Sequence, residues 1–183
     1  MSYASQDLRN EHDGILFGLN ILDKMVERLQ SGSTIAKDDY KQMAEFLRLF
    51  ADKCHHGKEE GLYFPALEQA GIPKENGPIG QMLIEHEQGR QYIKEMTAAL
   101  AGEQMDAQAF SAAAQNYATL LRAHIQKENM VLFAMGDKAL APDLQEKLLE
   151  QFEHFEETVM GPGIHDQLHA MLDSFEKKYL QGA

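Results

Sequence analysis

The sequence is short of cysteine, of positive charge and of long apolar runs, and each shortage closes off a class of protein. Cys54 is the only cysteine in 183 residues, so no internal disulfide can form and no thiolate-rich metal site can be built. Lys and Arg number 17 against 29 Asp and Glu, a formal net charge of -12. An acidic surface of this kind repels phosphate backbones and anionic headgroups, so neither nucleic acid nor a membrane is expected as a partner. No apolar run approaches the roughly 20 residues of a membrane-spanning helix. Residues 1–8 lack the basic flank and apolar stretch of a secretory leader. A soluble, cytoplasmic protein is the expectation. Apolar alternation is absent and β-branched residues are scarce, so strands are not expected. No nucleophile elbow or phosphate-binding loop is present either.

What the chain does have is helix punctuation. Glycine and proline gather at Ser31-Gly32-Ser33, Gly71-Ile72-Pro73, Gly77-Pro78, Pro142 and Gly161-Pro162-Gly163, which break helices. Between them lie segments with apolar residues at helical spacing. The first, about 7–30, carries Ile15, Leu19, Leu22, Val26 and Leu29; the second, about 37–69, carries Met43, Phe46, Leu47, Phe50 and Leu62. A third runs from Gly77-Pro78 to Leu100 and a fourth over about 106–140. A shorter pair follows at 143–160 and 164–180. Four long amphipathic segments with short connections predict an all-α, up-down four-helix bundle over about 7–140. The last pair is a C-terminal helical extension over about 143–180, and the whole of 1–183 forms one domain.

A repeat runs through this pattern. His55-His56-Gly57-Lys58-Glu59 through Phe64 aligns without gaps on His124-Ile125-Gln126-Lys127-Glu128 through Phe133. Both read H-x-x-K-E-x-x-x-x-F, in the second and fourth helices. The first and third helices carry Glu11-His12 and Glu85-His86. In a helix, residues four apart lie about 40° and 6 Å apart, so a His and a Glu at that spacing reach one point beside the helix. Imidazole nitrogen with carboxylate oxygen suits iron, manganese or zinc. His12, His55, Glu59, His86, His124 and Glu128 together supply four imidazoles and two carboxylates, enough for two divalent ions bridged by the carboxylates. Without metal, inward-facing glutamates would each cost several kcal/mol of desolvation. The competing reading puts Glu59 and Glu128 on a solvated helix face beside Lys58 and Lys127.

His56 with Glu60 has the same spacing as His55 with Glu59, so two registers are open. The helical wheel sets His55 beside Ala51, Leu62 and Ala66 at the edge of the apolar stripe, and sets His56 beside Asp52, Lys53 and Glu60. The repeat also selects His55 with Glu59, leaving His56 and Glu60 as outer residues. Tyr63 borders the polar face on the same wheel and reads as a surface tyrosine. Cys54 reads as a small buried residue. His165 and His169, one turn apart on the final helix, read as the rim of a packed helix.

The ordered set H … HxxxE … H … HxxxE resembles the hemerythrin-like branch of the hemerythrin (HHE cation-binding) family over about residues 7–140. His55 to Glu60 matches its H-x-x-x-E-E signature, and His12, His86 and His124 fall in the matching helices. The resemblance implies a four-helix bundle with a non-haem di-iron centre, the six residues above as its ligands. It also implies reaction with small molecules such as O2, H2O2 or NO. The oxygen-carrying members have a further His one turn after the third-helix ligand, where this chain has Arg90. They also have an Asp five residues after the fourth-helix His, where this chain has Asn129, preceded by Glu128. A fifth imidazole is therefore missing from the motif, and His165 or His169 is a candidate to supply it if the last helix folds over the bundle; Tyr63 is a further candidate ligand. Redox chemistry and scavenging are one expected role; sensing of iron or oxygen, or iron donation or storage without turnover, is the other.

Overall fold

The computed structural model describes residues 3–33 and 35–181. Six helices make up the fold, and the described residues contain no strand. Helix α1 is Ala4–Gln30. Helix α2 spans 37–69 as one continuous rod, whose parts Leu47–His56 and Glu59–Tyr63 are π-helical. Helix α3 is Pro78–Ala99. Helix α4 spans 107–139 with a π-helical turn at Glu128–Leu132. Helices α5, Pro142–Met160, and α6, 164–180, form the extension. The expected boundaries hold to within a few residues.

Local chemistry explains the ends. Pro78 and Pro142 occupy the first turns of α3 and α5, where a missing N–H costs nothing. The Asp106 carboxylate accepts the Ala109 N–H at 2.9 Å and caps α4. Gly161 and Gly163 both have positive φ, 82° and 78°, which lets the chain turn sharply from α5 into α6.

The four long helices pack in a ring, each against its neighbours in sequence and α1 against α4. Two apolar layers fill it. One contains Leu8, Phe64, Leu67, Met82, Leu132 and Phe133; the other contains Ile15, Leu19, Cys54, Ile93, Leu121 and Ile125. Helices α1 and α3 pass from the first layer to the second, and α2 and α4 pass back. This alternation is the up-down topology. Between the layers every helix carries polar residues: Glu11 and His12, then His55 to Glu59, then Glu85 and His86, then His124 and Glu128. Helix α5 lies against α1 and α2 and adds Leu148 and Phe152 to the first layer, while α6 adds Leu172, Phe175 and Tyr179 to the second. No helix among the described residues is long and apolar enough to cross a membrane.

Candidate metal centre

The polar layer is buried. His12, His55, Glu59 and Glu128 are fully buried or nearly so, as are His86 and His124. The solvated-face reading of the two glutamates therefore fails. All six expected site residues converge, and the structure adds His56, which is 2% exposed. Donor atoms fall into two groups that share Glu59: His12, His55, Glu59 and Glu128 in one, His56, Glu59, His86 and His124 in the other. Glu59 lies between them, with Oε1 3.4 Å from His55 Nε2 and Oε2 3.3 Å from His86 Nε2. Glu128 Oε2 is 3.2 Å from both His12 Nε2 and His124 Nε2. Each carboxylate thus spans the two groups.

Every imidazole is held from behind. Nδ1 of His55 and of His124 each meet a carboxylate oxygen at 2.9 Å, from Glu11 and Glu85. His12 Nδ1 donates to Asn129 Oδ1 at 2.8 Å and His86 Nδ1 to Glu60 Oε1 at 2.7 Å. His56 Nδ1 faces Asp52 at 3.4 Å. A proton held at Nδ1 leaves the Nε2 lone pair facing inward, the tautomer a metal requires. A further ring of cations steadies these acceptors. Lys58 Nζ bonds Glu11 at 2.5 Å, and Lys127 pairs with Glu85 in the same way. The two halves of the sequence repeat therefore build two matching relays, Lys58–Glu11–His55 and Lys127–Glu85–His124.

Charge follows geometry. Burial works against a charged His55, yet the carboxylates of Glu59 and Glu11 push it up to about 10. Against the same penalty, Glu128 and Glu85 push His124 up to about 9. His56 goes the other way, down to about 3, through burial and the neighbouring His86. Both glutamates remain ionised despite burial, because the surrounding imidazoles hold Glu59 well below the usual carboxylate range and lower Glu128 as well. Protons on the imidazoles of His55 and His124 thus stand against two buried negative charges.

The chain matches the family profile of the hemerythrin HHE cation binding domain over residues 4–136. It belongs to that family. Searches of curated proteins and of solved structures gave no significant match.

For a hemerythrin-family chain, the test of a cation site is whether the buried donors are satisfied without one. Here they are not. His12 Nε2, His55 Nε2, His56 Nε2 and all four carboxylate oxygens of Glu59 and Glu128 are buried without a hydrogen-bond partner. Buried polar atoms in this number are otherwise rare, and all of them face one space. The donor set fits a metal.

Arg90, where oxygen-carrying relatives have His, does not enter the cluster. It bonds Asp52 Oδ1 through Nε at 2.9 Å and pairs with Glu60 through Nη2, so it clamps the acceptors behind His56 and His86. The expected outer position of His56 is corrected: its ring stacks on His86 at 3.9 Å and 15°. Glu60 is an outer residue as expected, though it holds His86. Tyr63, expected at the surface, is fully buried, edge-on to Phe133 at 5.4 Å. Neither it nor His165 or His169 belongs to the donor groups; the last two sit against Phe50, 5.9 and 6.0 Å away. Cys54 is buried, as expected.

The sequence did not assign Glu11, Glu85, Lys58, Lys127 and Asn129 their places behind the ligands, nor Glu60 its bond to His86. The signal was there, because the first two and the lysines repeat in register with the ligands.

Proposed function

We propose that this chain is a non-haem di-iron protein whose centre reacts with O2, H2O2 or NO in a redox or scavenging role. The observation that carries it is the set of seven inward-facing buried donor atoms with no partner of their own. His12 and His55 would hold one iron and His56, His86 and His124 the other, with Glu59 and Glu128 bridging. Bound there, two irons supply Lewis acidity and electrons to a small molecule. The chain's own residues do the rest. Glu59 and Glu128 neutralise charge, and the outer carboxylates orient and enrich the imidazoles. The two apolar layers keep bulk water away. One side offers two imidazoles and the other three, and the Phe133 ring stacks on His12 at 5.4 Å and covers the two-imidazole side.

Replacing either bridge tests the reading. Glu59→Ala or Glu128→Ala is expected to halve or abolish the iron held per chain, measured by elemental analysis on folded, dialysed protein. Undiminished iron in both variants would overturn the assignment. A second reading, a metal-responsive sensor or iron-donating protein, draws on the contact of α5 with the centre's outer residues: Glu156 Oε2 lies 3.6 Å from Lys58 Nζ. Turnover of peroxide or nitric oxide favours the first reading, and iron transfer or partner binding without turnover favours the second.

A further inference from the structure

Outside the buried cluster, His165 and His169 stand one turn apart on α6 with their Nε2 atoms 3.3 Å from each other. Both rings are partly open to water, His165 with 39% of its side chain exposed, and both lean on Phe50. Two imidazoles on one tetrahedral ion, each at about 2.0–2.1 Å, place their nitrogens about 3.3–3.4 Å apart. The buried centre uses nearly the same spacing, 3.1 Å between Nε2 of His86 and of His124.

A third donor comes from the neighbouring helix. Glu156 Oε1 on α5 lies 3.7 Å from His165 Nε2, while its other oxygen faces Lys58. Glu156 and His165 border a cavity of about 600 Å³ whose walls include Glu153, Glu157 and the turn at Gly161-Pro162-Gly163, with no Lys or Arg among the lining residues. Acidic walls with no internal cation concentrate positive ions.

We propose that His165 and His169, with the Glu156 carboxylate beside His165, form a second cation site, separate from the buried centre, for one first-row divalent transition ion of the Zn2+ type. Two imidazoles and a carboxylate are the donors such borderline ions prefer, whereas Ca2+ and Mg2+ take oxygen ligands throughout. Water completes the coordination. An ion held there ties α5 to α6 across the glycine-rich turn. It also anchors Glu156, whose second oxygen meets the Lys58–Glu11–His55 relay.

The test is a calorimetric titration of the full-length protein, carrying its resident metal, with Zn2+, counting iron and zinc before and after. The wild type is expected to take up about one additional Zn2+ per chain, the iron count staying constant. A His165→Gln/His169→Gln variant should bind that ion at least about tenfold more weakly, and Glu156→Gln should weaken it less. All three positions are at least partly exposed, so the variants are expected to fold. No Zn2+ uptake up to millimolar concentration overturns the proposal. So does equal affinity in the double variant, or zinc uptake matched by iron release. The comparison of wild type with double variant decides this site whether or not the buried centre holds iron.

Discussion

An imidazole that binds a cation through one nitrogen must keep its proton on the other, and in this chain each of those protons has a named acceptor. Protonation of the inward-facing imidazoles makes metal uptake sensitive to pH. With His55 pushed up to about 10 and His124 to about 9, both are protonated at neutral pH, and each must lose a proton before its Nε2 can bind. Metal affinity should therefore rise with pH between 6 and 8, by up to about 100-fold per unit if two protons leave per loading event. Proton release measured by a pH indicator during loading checks the sign, and uptake independent of pH would contradict it. Arg90 makes a second prediction at this scale. Arg90→Leu frees Asp52 and Glu60, the groups behind His56 and His86, and should weaken metal binding about 10- to 100-fold. Arg90→Lys retains charge but not the two-pronged geometry, and should fall between. Competition with a chelator of known affinity reads both.

At the scale of the element, the feature that matters is the π-helical turn. Gly57 N–H bonds Asp52 O, Phe64 N–H bonds Glu59 O and Phe133 N–H bonds Glu128 O, each five residues back. Widened turns of this kind gather at functional sites, and here they lie at both HxxKE segments. They also explain what the sequence left illegible. A wheel drawn at 100° per residue assumes α geometry throughout, so it turned His56 and Tyr63 toward water when the widened backbone brings them inside. The placement of helix α5 was the second missing fact: Phe152 and Phe155 cover the face carrying Lys58 and Gly57. The helices themselves, the gapless repeat and the inward gathering of the six His and Glu residues were legible, because spacing and punctuation are local properties. The same element makes its own prediction. A β-carbon at Gly136 would collide with the Tyr63 hydroxyl and press on Leu67 at 2.8 Å. Gly136→Ala should therefore destabilise the fold by about 1–3 kcal/mol despite improved helix propensity, seen as a lower midpoint in urea. A gain in stability would mean that Tyr63 moves freely.

Over the whole molecule, two helix pairs of related sequence build two related halves of one centre. Glu11 corresponds to Glu85, His12 to His86, His55 to His124, Lys58 to Lys127 and Glu59 to Glu128. Among the places where the symmetry fails, two are the most consequential. His56 has Ile125 as its counterpart, which gives one half three imidazoles and the other two. Lys58 is 1% exposed under α5, whereas Lys127 has 44% of its side chain open to solvent. The extension therefore seals one relay and leaves the other open. Removing the metal should leave a folded but weakened bundle, since the two buried glutamates then rely on protonated imidazoles alone for counter-charge. The most direct test of the central claim is the metal content of protein produced with iron, paired with its absorption spectrum before reduction, after reduction and on return to air. The account predicts about two iron atoms per chain, with near-ultraviolet absorption that bleaches on reduction and returns in air. No bound iron, or a single tightly held zinc with a featureless spectrum, would contradict it.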